Sequence, residues 1–235
     1  MTASTTQTAT PDLPASRNRP ANPAAEAWSA FQKNSAGHEL TVLHEQGLYR
    51  HIRMAKPSSR TESWDIVTWP GHLATSGDIA DGLTFSRDAD MIEFFAPEEV
   101  DHNYFADGAP SIDFRYWAQK LQGDQRQGIL TYKHENFVQF VTETLTERLE
   151  DGDTPDLAKE DVDRLISDVN HLAHDEAEAR NWLDEHDDQF PDSWENSFKD
   201  YSVHFQMACY AISTTAHAYL NRPDHSSQTQ KDTTS

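Results

Sequence analysis

Trp64-Asp65-Ile66-Val67-Thr68-Trp69-Pro70-Gly71-His72-Leu73-Ala74-Thr75-Ser76 decides the fold, because it alternates in character and then turns back on itself. Side chains alternate along a strand with a period of two. Trp64, Ile66 and Thr68 therefore share one face, and Asp65, Val67 and Trp69 the other. Pro70-Gly71 is a turn pair, and His72 to Ser76 returns. The segment predicts a β-hairpin.

The same pattern continues on both sides. Upstream, Leu40-Thr41-Val42-Leu43 reads as a strand and Glu45-Gln46-Gly47 as a turn. Leu48 to Ala55 alternates, with Leu48, Arg50, Ile52 and Met54 opposed to Tyr49, His51, Arg53 and Ala55, until Pro57-Ser58-Ser59 breaks it. Downstream, Gly77-Asp78 and Asp81-Gly82 flank a loop before Leu83-Thr84-Phe85. Closely spaced strands joined by short turns favour an antiparallel meander.

From Asp88 the period becomes helical. Asp88 is placed to cap a short helix carrying Met91, Ile92, Phe94 and Phe95, which Pro97 stops. A second short piece carries Phe114, Trp117 and Leu121. Phe137, Val138, Val141, Leu145 and Leu149 stripe a helix that ends at Asp151-Gly152. Thr154-Pro155 reads as the cap and first position of one long helix with Val162, Leu165, Ile166, Val169, Leu172, Ala173 and Leu183. Asp192 with Glu195 resembles a capping box ahead of the longest helix. There Phe198, Tyr201, Phe205, Ala208, Ile212, Thr215 and Tyr219 form one seam. The short link from His186 to Pro191 predicts that these last two helices pair as an antiparallel hairpin.

The expected class is thus α+β: an antiparallel β-meander of four or five strands in the N-terminal half, packed by helices and followed by a C-terminal helical hairpin. The expected organisation is a disordered tail over 1–25, a β-rich core over 26–150, an acidic helical hairpin over 151–220 packed on that core, and a disordered tail over 221–235.

Charge is distributed unevenly. The 235 residues carry 40 acids against 19 Lys and Arg, a net charge of −21. Between Asp151 and Asp200 lie 17 acids and only Lys159, Arg164, Arg180 and Lys199, so this segment holds 17 − 4 = 13 of the excess. Such a face repels nucleic acid and anionic membranes and attracts basic partners. Direct nucleic-acid binding is not expected. The single cysteine, Cys209, excludes an intrachain disulfide and reads as a packing residue. Met1 to Pro11 lacks a basic flank and an apolar run, and no stretch of ~18 apolar residues occurs, which predicts a cytoplasmic protein without a membrane span.

Catalytic signatures are lacking: there is no phosphate loop and no G-x-S-x-G elbow. His171, His174, Asp175 and Glu178 look like a metal set. On one unbroken helix, however, His171, His174 and Glu178 face away from the apolar stripe and read as a solvated polar face. His38-Glu39, His44-Glu45 and His51 lack metalloprotease spacing. Asp65, Asp78, Asp88, Asp90 and Glu93 read first as turn and cap carboxylates. Arg50, Arg53 and Arg60 read as outward strand charge. No metal and no cofactor is expected. The remaining candidates for a ligand site are Trp64, Asp65, Trp69, His72, Asp78 and Arg87, which offer stacking surfaces and polar groups in one compact region.

Trp64 to Leu73 is the most idiosyncratic run. Together with Leu40 to His44, Gly47 to His51, Gly77-Asp78, Phe85-Ser86-Arg87, Asp90 to Phe95 and Tyr116 to Lys120, it resembles a family of uncharacterised proteins encoded by bacteriophages and prophages. The resemblance spans about Gly37 to Lys120 and implies a setting inside the host cell; no activity, cofactor or catalytic residue carries over with it. The reading that follows is a monomeric, non-enzymatic interaction protein. Its acidic helical face would bind a basic host protein, such as one that handles nucleic acid. The alternative is a small-ligand module or enzyme built on the six candidates.

Overall fold

The hairpin turns at Gly71, whose φ of 77° suits a residue without a Cβ, and the sheet grows outward from it. In the computed structural model, residues 23–57, 59, 61–96, 109–151 and 158–223 are described. Five strands follow in chain order, each antiparallel to the next: β1 (Glu39–Gln46), β2 (Tyr49–Ala55), β3 (Trp64–Trp69), β4 (His72–Gly77) and β5 (Thr84–Ser86). Trp69 pairs with His72 beside the turn and Trp64 with Gly77 at the far end. Gly77 has a φ of 113°, and a Cβ there would collide with the Ser63 carbonyl, so glycine is required. β1 carries an irregularity between Val42 and His44, of the kind that an extra residue produces.

One face of this sheet is buried. Ile52, Met54, Trp64, Ile66, Leu73 and Phe85 project into a core shared with α1 (Pro23–Ser35) and α8 (Val203–Leu220). Trp64 lies at its centre, where its Nε1–H donates to Thr215 Oγ1 of the last helix at 2.8 Å. The short helices α2 (Met91–Phe94) and α3 (Phe114–Ala118) close the core with Met91, Ile92 and Trp117, and α4 (Gln125–Gly128) follows them. Asp90, rather than Asp88, caps α2, its carboxylate accepting from the Ile92 N–H at 3.0 Å. A second apolar cluster joins α5 (His134–Asp151), α6 (Lys159–His171) and α7 (Glu176–Glu185), with Phe137, Val141, Val169, Trp182, Phe190 and Phe198 inside it. Between the two clusters runs a small ladder of β6 (Leu130–Tyr132) against β7 (Lys199–Tyr201).

The α+β class and the five-stranded meander agree with the sequence; the helical details differ in three places. The long helix read over 155–185 is broken: α6 ends at His171, Ala173 turns to a φ of 59°, and Asp175 caps α7 by accepting from the Glu178 N–H at 2.9 Å. The apolar period runs through this break because both pieces bury the same side. Asp192 makes no cap; it sits at a φ of 58° before a single 3-10 turn over Ser193–Glu195. The long helix starts later, with Ser202 Oγ accepting from the Phe205 N–H at 3.1 Å. Phe198 consequently joins the second cluster and Tyr201 lies in β7. Third, α8 does not take the acidic helices as its lengthwise neighbour. It runs along α1 and beneath the sheet, and Phe205, Ala208, Cys209, Tyr210, Ala211 and Ile212 are buried around its circumference. A helix enclosed on all sides needs several partners, whereas the seam had suggested one. Thr154-Pro155, Pro97, Arg60, Gly152 and most of both tails lie outside the described residues. Among the described residues no helix is long and apolar enough to cross a membrane.

Arg50, expected to point outward, points inward and is 8% exposed. Its guanidinium grips Asp90 through two bonds of 2.6 and 2.7 Å. The Tyr219 ring lies 5.3 Å from it, and Arg222 stacks on that ring at 3.7 Å while holding Glu45 through two 2.6 Å bonds. The Tyr219 hydroxyl also donates to Glu45. This clasp ties the end of α8 to β1, β2 and the start of α2.

Two measurements check this account. Phe205→Ala should cost about 3–5 kcal/mol in urea unfolding, as buried aromatic truncations do; a cost below about 1 kcal/mol would show that α8 packs elsewhere. Asp90→Asn should cost about 3 kcal/mol by leaving Arg50 unpaired in the interior. Burial raises the Asp90 carboxyl, but the bonds from Arg50 outweigh it and hold the group below its ordinary value. Stability from the pair is therefore complete above the ordinary carboxylate range and is lost as pH falls through and below it. Asp90→Asn should flatten that acid limb of the stability curve.

Candidate functional site

The six side chains singled out in the sequence go to different places. Trp64 is fully buried, its ring 4.9 Å from His38 and tilted against Phe31. Trp69 and His72 stack across the hairpin at 5.0 Å with 7° between their planes. Asp65 receives two 2.7 Å bonds from Arg53, with His51 Nε2 3.5 Å away. The Arg53 bonds come first in holding this carboxyl below its ordinary value, against the opposing effect of partial burial. A carboxylate so held is a poor proton acceptor at neutral pH. Asp78 accepts from the Glu62 N–H at 2.7 Å and supports the loop before β3. Arg87 lies 3.8 Å from Asp88, and its N–H donates to the Gly71 carbonyl. Trp69 and His72 are brought together, and Asp65 joins Arg53 and His51. Trp64 is separated from Asp65, Trp69 and His72 by the sheet itself, since residues 64 and 65 face opposite sides and His72 pairs with Trp69.

The histidines of the acidic segment are also redistributed. His174 sits in the break between α6 and α7, where its ring lies 4.8 Å from His134. Its backbone N–H donates to the Glu178 carboxylate at 2.9 Å, while His171 Nδ1 lies 2.7 Å from the Ser167 carbonyl. Tyr132 and His134 both bond the Ala173 carbonyl, at 2.7 and 3.0 Å, which secures the left-handed turn. Burial, then the charges of Asp175, Glu178, Glu135 and Glu176, push the Tyr132 phenol up to about 12. These side chains organise the break. Among the described residues no group of three or more His, Cys, Asp or Glu is placed to hold a metal. Cys209 is fully buried and its thiol is pushed up by burial, so it is not poised as a nucleophile.

What the acidic segment does present is an exposed aromatic on a fixed mount. Trp194 is 74% exposed, the highest exposure of any large apolar side chain among the described residues. Its 3-10 turn is held from below: Arg180 reaches across from α7 to donate to the Ser193 and Asn196 carbonyls, and its guanidinium lies 5.1 Å from the Phe198 ring. Phe190 is buried just before the turn, and His186 stacks on Trp182 at 4.1 Å. The acids flanking Trp194, Asp192 and Glu195, are exposed, as are Asp187 and Asp188 in the link before the turn. Ion pairs within the segment are confined, among the described residues, to Lys159–Asp163, Arg164–Asp161 and Lys199–Glu176. Arg180, the remaining cation there, is committed to carbonyls. Most carboxylates among the described residues of the segment therefore have no ion-pair partner. Between α5 and α6 a groove of about 410 Å³ adds Glu135 and Glu143 beside Val138 and Gln139.

Trp194 lies inside the apparent capping box of Asp192 and Glu195, which drew attention to the flanking acids and not to the indole. The available signal was negative: an aromatic residue between Asp192 and Glu195 with no place in either apolar stripe. Comparison of the chain with protein-family models, with curated proteins and with solved structures finds no match in any of the three.

Proposed function

We propose that this is a non-enzymatic interaction protein of a phage or prophage, acting in the host cytoplasm as a monomer, whose acidic helical body binds a basic protein. The observation that carries the reading is Trp194, exposed on a braced turn and flanked by unpaired carboxylates. Tryptophan is among the residues most enriched at binding hot spots, where a well-packed aromatic anchor is ringed by polar groups. A mount fixed before binding lowers the ordering cost of association. The partner chemistry follows from the surroundings. Carboxylates in excess select Lys and Arg, and a cation against the indole face adds attraction. A protein that handles nucleic acid carries such a surface, and the carboxylates would stand in for its phosphates.

The alternative, a small-ligand module or enzyme around Trp64, Asp65, Trp69, His72, Asp78 and Arg87, has less support. Trp64 lies within the core, and the other five do not converge on one point.

Affinity capture from infected cells with the full chain, followed by titration of the recovered complex, tests the proposal. Trp194→Ala should weaken the complex by about 2 kcal/mol or more, roughly thirty-fold, while thermal stability stays within about 0.5 kcal/mol, as expected for an exposed site. Affinity should fall steeply with added salt. A complex indifferent both to salt and to Trp194→Ala would overturn it.

A further inference from the structure

A second site lies away from the acidic helices, in a cavity of about 240 Å³ where α3 and α4 meet the β6–β7 ladder. Its walls are Arg115, Gln119, Arg126 and Tyr201, over an apolar floor that includes Ala118 and Ile129. Two arginines line it together. Eight of the 15 described Lys and Arg are ion-paired, and Arg115 and Arg126 are not among them. Every ion pair among the described residues lies elsewhere, so Arg115 and Arg126 share one cavity with no carboxylate bound to either.

The Arg126 guanidinium is oriented by the fold. Arg126 donates through Nε to the Leu121 carbonyl at 3.2 Å and through Nη2 to the Gln119 carbonyl at 2.6 Å. That leaves Nη1 on a guanidinium held in one plane. Two acids whose charges reach the Tyr201 phenol are engaged with backbone: the Asp113 carboxylate accepts from the Tyr116 N–H at 2.8 Å, and the Asp200 carboxylate from the Tyr201 N–H at 2.7 Å. Asp124, at the start of α4, makes no cap bond and no ion pair with Arg126. Burial raises the Tyr201 phenol, so its hydroxyl remains a donor at neutral pH. Planar guanidinium forks match the oxygens of carboxylates and phosphates, and the apolar floor suits an organic body. At about 240 Å³ the cavity is smaller than the roughly 300–1,000 Å³ of drug-sized sites, so the ligand is compact.

We infer that this cavity binds a small organic oxyanion, a carboxylate or phosphate ester, with its head between Arg115 and Arg126 and its body over Ala118 and Ile129. The inference is independent of the acidic surface and of Trp194.

Calorimetric titration of the full chain with butyrate, phenyl phosphate and inorganic phosphate tests it. At least one of the two organic anions should saturate and bind more tightly than inorganic phosphate; which of them binds tighter identifies the head group. Arg115 is exposed and holds no structural partner, so Arg115→Gln should leave the melting temperature unchanged. It should weaken binding about ten- to a hundred-fold, the loss expected for a charge-assisted bond. The inference is overturned if neither organic anion saturates, if inorganic phosphate binds as tightly as both, or if Arg115→Gln retains full affinity.

Discussion

The structure depends on enclosing α8. Its residues are buried around most of the helix, and no single flat surface can cover such a cylinder. The buried face of the sheet covers one side and α1 another, with Phe31, Trp64 and Tyr210 meeting between them. The Trp64 indole bonds α8 directly, through Thr215, so a strand residue and a helix residue 151 positions apart are locked in register. The Arg50–Asp90 pair and the Tyr219–Glu45–Arg222 group close over the end of the helix.

A consequence is that charge and core are kept apart. The helices α6 and α7, which carry much of the acidity, rest on α5 and on a separate aromatic cluster. Their mutual repulsion acts on that cluster and does not load the sheet. Phe137, Trp182, Phe190 and Phe198 supply edge-on and tilted ring contacts there, a form of packing that adds to plain area burial. Arg180 contributes to the same end by turning inward to carbonyls, where it braces a turn instead of cancelling a carboxylate. The acidic surface therefore keeps its field.

The two proposed surfaces use opposite electrostatics within one chain. At ordinary ionic strength exposed charges separated by more than about 8–10 Å are largely screened, so an arginine-lined cavity can remain attractive to an anion even though the net charge is −21. What each surface recognises depends on its immediate neighbours. At Trp194 these are carboxylates, and at Arg115 they are a second guanidinium, an amide and a phenol.

The amino-acid sequence by itself determined the meander, because alternation and the turns at Gly47 and Pro70-Gly71 are local signals with a period of two. It also determined that helices follow, that the acidity is concentrated late in the chain, and that Phe205, Ala208, Ile212, Thr215 and Tyr219 share a helix face. Only the tertiary structure decided where helices break and what they touch. Ala173 leaves the helix because its carbonyl is claimed by Tyr132 and His134, some 40 positions away. Arg50 turns inward because Asp90 awaits it there, although the alternation had already placed it beside Ile52 and Met54. The candidate ligand residues were legible as chemistry and illegible as a site. Trp64 and Asp65 are adjacent in the chain, but a strand sends them to opposite sides of the sheet. Arg115, Arg126 and Tyr201 are scattered over 87 positions, and they meet because β6 pairs with β7. Periodicity reports which side of an element is apolar; convergence of polar groups depends on contacts between elements, and no local pattern encodes those.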